Sequence, residues 1–195
     1  MRPLAVWLGL AVAGGPLAAQ VEPLKGRLDD ATYRAVAAIV DSAAAQGLPS
    51  GALVSKAQEG AMKRAPGPAI VAAVRALWGR LGDARSALGP AAEPTEIEAG
   101  AAALRAGADT KTLGRLRERR REGTLTVPLI VLADLTGQGV PVDSAVAALE
   151  TLMLANATDA AYAALRRGVE QDIRAGTPAT AAATSRARSV LAPRP

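Results

Sequence analysis

The chain has 195 residues, 23 Lys and Arg against 18 Asp and Glu, a formal charge of +5, and neither cysteine nor histidine. Without cysteine there are no disulfides, thiol nucleophiles or thiolate metal sites; without histidine there are no Ser–His or Cys–His pairs, no imidazole metal ligands and no imidazole pH switch. Two Trp, two Tyr and no Phe argue against an aromatic-walled ligand pocket or a stacking platform for single-stranded nucleic acid.

The first stretch reads MRPLAVWLGLAVAGGPLAAQ. Arg2 supplies a positive start, Leu4 to Ala13 an apolar run, and Gly14, Gly15 and Pro16 break that run before Leu17-Ala18-Ala19. This is the layout of a secretory signal peptide over 1–19, cleaved after Ala19. The apolar run is too short to cross a bilayer, which takes about 20 residues. The expectation is a secreted or periplasmic mature chain from Gln20, without a transmembrane segment. Removal of Arg2 would lower the charge of +5 by one.

The remainder, 20–191, reads as a single all-α domain of about nine short helices, with a frayed tail at 192–195. Asp29-Asp30 can cap a first helix whose apolar stripe is Tyr33, Val36, Ala37, Val40 and Ala44. Gln46-Gly-Leu-Pro49 and Gln138-Gly-Val-Pro141 read alike: glycine closes one helix in the left-handed region, and proline opens the next as its first residue. Counting between such joints places helix-pair modules at 47–88, 107–138 and 139–175. A half-module precedes them, another begins at Gly176, and an extra helix spans Thr95 to Ala106. Stripes such as Ile70, Val74, Leu77, Leu81 and Leu88, or Tyr162, Leu165, Val169 and Ile173, fit buried helix faces. TLTVPLIVLADL is nearly continuous in apolar residues and would suit a buried strand, but no partner strand is in view, so it reads as a buried helix. Such units bury their faces by stacking, giving a short α-solenoid or a compact multi-helix bundle.

The densest charge lies in KTLGRLRERRREG, Lys111 to Gly123. On a helix over 111–121, Lys111, Arg115 and Arg119 share one face, and Arg117 and Arg121 another. This is a candidate surface for a polyanion: nucleic acid, acidic lipid or an envelope polymer. The competing reading is a solvated helix laced with pairs such as Arg115–Glu118 and Arg119–Glu122. Glu96 and Glu98 fall in a first helical turn, where carboxylates suit the helix dipole. A carboxylate- or metal-dependent hydrolase would need two acids facing across a cleft, which spacing alone does not show. No serine begins a Ser-x-x-Lys motif or sits in Gly-x-Ser-x-Gly. The sequence therefore points to a non-enzymatic, exported protein without cofactor or metal, binding a protein partner or, alternatively, a polyanion.

Overall fold

The computed structural model describes residues 21–192; the expected leader 1–19, and the expected tail apart from Ala192, lie outside them. Within that span six helices end in the same way. Gly47, Arg64, Gly107, Gly139, Asn156 and Gly176 all take positive φ. At each, the residue's own N–H bonds back three residues and the following N–H bonds back five, as in Gly47 N to Ala44 O at 3.0 Å and Leu48 N to Ala43 O at 2.9 Å. This is the Schellman closure, which satisfies carbonyls that a helix end would otherwise leave open. The residue after the turn is apolar at five of the six joints, and Leu48, Ala108 and Val140 are buried there. The two Gln-Gly-apolar-Pro stretches are thus one device used twice. The sequence expectation needs one correction: Pro49 and Pro141 are N-cap residues with extended ψ of 90° and 139°, not first helical residues. A proline there gives up no helical hydrogen bond, and its fixed φ sets the entry angle.

Among the described residues there are nine α-helices and no strand: α1 Asp30–Ala45, α2 Ser50–Met62, α3 Gly67–Leu88, α4 Pro94–Arg105, α5 Thr110–Arg119, α6 Thr126–Gly137, α7 Val142–Leu154, α8 Asp159–Arg174 and α9 Ala179–Leu191, preceded by a 3-10 turn at Glu22–Leu24. Asp29 caps α1, accepting from Ala31 N and Thr32 N at 3.1 and 3.0 Å. Asp109 does the same for α5 through Thr112 N at 2.7 Å. The TLTVPLIVLADL segment is the buried helix α6; Pro128 is tolerated because it stands in the first turn, where no intrahelical N–H bond is due.

Every substantial contact between helices joins neighbours in the chain or next-but-one neighbours. α1, α3, α5, α7 and α9 form one row, α4, α6 and α8 the facing row, and one continuous apolar cluster runs between them. This nearest-neighbour stacking is the packing logic of a short α-solenoid. α4 is enclosed on several sides, with Ile97, Ala99, Gly100, Ala101 and Ala103 all buried. A Cβ on Gly100 would lie 3.0 Å from Ala84 Cβ and 3.0 Å from Leu88 Cδ1, so the missing side chain lets α3 and α4 approach closely.

One next-but-one pairing is missing: α2 and α4 make at most marginal contact. The 22-residue length of α3 accounts for the gap. α2 sits at its start, where a Cβ on Gly60 would meet Ile70, and α4 sits at its end, against Ala84 and Leu88. At 1.5 Å per residue these stations are roughly 20 Å apart along α3. The middle of α3 is therefore left uncovered on that side.

Candidate functional site

The uncovered stretch of α3 forms the floor of a groove walled by α2 and α4. Its lining includes Ala52 of α2, Leu77 and Leu81 of α3, and Ala101 and Ala102 of α4, around a cavity of about 420 Å³. Small walls and a leucine floor make the interior apolar, while charges stand on the rim. Glu59 is already committed there, held by Lys56 at 2.7 Å and by Lys63, and these two ammonium groups draw its carboxyl down to about 2. Arg80 and Arg105 make no ion pair among the described residues, and the buried Nε of Arg80 has no hydrogen-bond partner. Glu98 is the exposed acid on the same rim. The rim thus offers two uncommitted cations and one uncommitted anion around an apolar slot. A buried donor without an acceptor costs free energy unless something supplies one.

The basic segment is divided by the structure. α5 ends at Arg119, so Arg120 and Arg121 lie beyond the helix, and the helical face expected for Arg117 with Arg121 does not form. The expected i,i+3 pairs give way to partners from other helices. Arg115 and Arg119 both reach Glu150 of α7, at 3.4 and 3.9 Å. Arg117 turns inward: it pairs with Glu96 and donates to the carbonyls of Arg120 and Gly123 at 3.1 and 3.0 Å. Lys111 and Arg121 are exposed and make no ion pair among the described residues.

Glu96 has a second role that residue spacing does not show. It does stand in the first turn of α4, but it is only 3 % exposed and reaches across to the start of α6. There its Oε1 accepts from Leu125 N at 2.8 Å as well as from Arg117. One carboxylate therefore closes the N-cap of α6 and anchors the loop after α5. The pair is well compensated: its buried charge meets a guanidinium and a backbone donor.

At the far end of the array, Arg186 of α9 grips Asp172 of α8 through Nε at 2.7 Å, which holds that carboxyl below its usual range. Asp134 pairs with Arg166 at 2.9 Å. Trp78 is half-buried against the core. Among the described residues no group of three or more acidic side chains gathers as a metal site, and no helix is long and apolar enough to cross a membrane. The chain matches no protein-family model, no curated protein and no solved structure.

Proposed function

We propose that this is an exported, non-enzymatic helical-repeat protein that binds a protein partner and acts as a scaffold module of the cell envelope. The observation that carries the proposal is the groove left where α2 and α4 fail to meet. In a stacked array the place for another helix is set by the rows themselves, and here the gap between α2 and α4 leaves a cavity over the half-buried Leu77, with Leu81 buried beneath it. Apolar slots of this kind receive the apolar face of an amphipathic helix. The occupant we assign is a partner helix with an acidic edge, because Arg80 and Arg105 are rim cations without an ion pair among the described residues and the buried Nε of Arg80 lacks an acceptor. Export rests on the residue pattern at 1–19, and the lack of histidine and cysteine favours binding over catalysis.

The test is affinity capture from envelope extract with mature Gln20–Pro195 as bait, alongside an Ala102→Arg bait that fills the groove. A partner held at high salt by the parent chain and lost with Ala102→Arg supports the groove. Equal capture by both baits removes it. N-terminal sequencing of the exported protein checks the leader: the first residue should be Gln20.

A further inference from the structure

A second concavity lies at the end of α5, away from the groove, and is independent of it. Arg119, Arg120 and Arg121 line a cavity of about 560 Å³ together with Glu118, Glu122, Asn156 and Tyr162. Tyr162 is 0 % exposed, yet its hydroxyl has no hydrogen-bond partner. Buried phenols ordinarily find one, and an orphaned hydroxyl carries a desolvation cost. The Arg120 guanidinium sits beside this hydroxyl and acts on it by its charge and as a donor toward the phenol oxygen, short of a fully formed hydrogen bond. A guanidinium only donates, so it can never receive the phenol's proton. An acceptor that could also take donors from arginine would satisfy both.

We infer that this cavity seats a small oxyanion, a phosphate or carboxylate group on a small molecule, held by Arg120 and Arg121 and by a hydrogen bond donated from the Tyr162 hydroxyl. The surroundings favour a single anionic group over a long polymer. Arg115 and Arg119 already share Glu150, Arg117 is taken by Glu96, and Glu118 and Glu122 interrupt the positive track. What remains is one seat rather than a line of charges. The cavity volume leaves room for more than the anionic group alone.

Calorimetric titration with inorganic phosphate and, separately, citrate tests this on mature Gln20–Pro195. Each is repeated on Tyr162→Phe, which deletes only the hydroxyl, on the exposed Arg121→Gln, and on Lys111→Gln as a charge-matched control. Saturable binding of either probe, weakened about tenfold or more in Tyr162→Phe and Arg121→Gln but not in Lys111→Gln, establishes the seat; a hydrogen bond to a charged group is of that strength. The better probe tells whether phosphate or carboxylate is preferred. No saturable binding of either at millimolar concentration overturns the inference. So does binding that all three variants weaken alike, which would mean diffuse attraction to the basic segment.

Discussion

Arg117→Met isolates the buried pair between α4 and the loop after α5. The substitution keeps an apolar stem but removes the guanidinium from Glu96, which is 3 % exposed and left with Leu125 N as its remaining donor. Breaking a buried pair in this way costs about 3–5 kcal/mol. The two carbonyls that Arg117 also serves, those of Arg120 and Gly123, lie in a loop within reach of water and add little. The double change Glu96→Leu with Arg117→Met removes both charges. Its remaining penalty is the unpaired Leu125 N–H, about 1–3 kcal/mol. The double variant is therefore predicted to be more stable than Arg117→Met alone, measured by urea unfolding with the slope checked for two-state behaviour. By contrast, cutting the surface pair Arg166–Asp134 should cost at most about 1 kcal/mol. If the double variant loses as much as the sum of its singles, or Arg117→Met loses under about 1 kcal/mol, the reasoning about Glu96 fails.

Equivalent joints should respond with opposite signs: Gly139→Ala, forced to φ of 89°, should lose about 1–2 kcal/mol, while Arg64→Gly should raise the melting temperature because Arg64 already pays for φ of 54°. Gly100→Ala should cost about 1–3 kcal/mol in urea unfolding, since the added methyl sits 3.0 Å from both Ala84 and Leu88 and α3 must move. Stability should hardly change from pH 8 to pH 6, as there is no histidine to titrate. It should then fall as acid reaches Glu59, Asp29, Asp109 and Asp172. Their carboxyls are held below the ordinary range in the fold, Glu59 at about 2, so the unfolded chain takes up protons first and stability drains away below about pH 4.5. Thermal melts across pH 2–8 check this, and a transition near pH 7 would contradict it.

The joints were legible because their chemistry is local. Glycine followed by an apolar residue and proline writes the Schellman turn within four positions, and only the proline's place was off by one. Where glycine gave way to Arg64 and Asn156, that signal was lost and the structure alone shows the same closure. The spacing puts Tyr33, Ala37 and Ala44 on the α1 stripe, where they are only partly buried, whereas Thr32, Ile39 and Ala43 are buried beside Val36 and Val40; in an alanine-rich helix, composition hardly distinguishes one face from the next. Glu96 escaped because its partners stand 21 and 29 residues away, and a first-turn acid needs no such partners to be explained. The groove escaped for a similar reason. It arises from the length of α3 against its neighbours, which no residue spacing within α2 or α4 records.

We propose above that a partner helix fills the open position between α2 and α4. A photo-crosslinking residue placed at Ala102 on the groove wall, with a second chain carrying it at exposed Ser185 on α9 as the comparison, tests it in the producing cell. One discrete protein adduct is expected from position 102, absent from position 185 and abolished when Arg80→Glu is added. No adduct from position 102, or the same adduct from both positions regardless of Arg80, would contradict it.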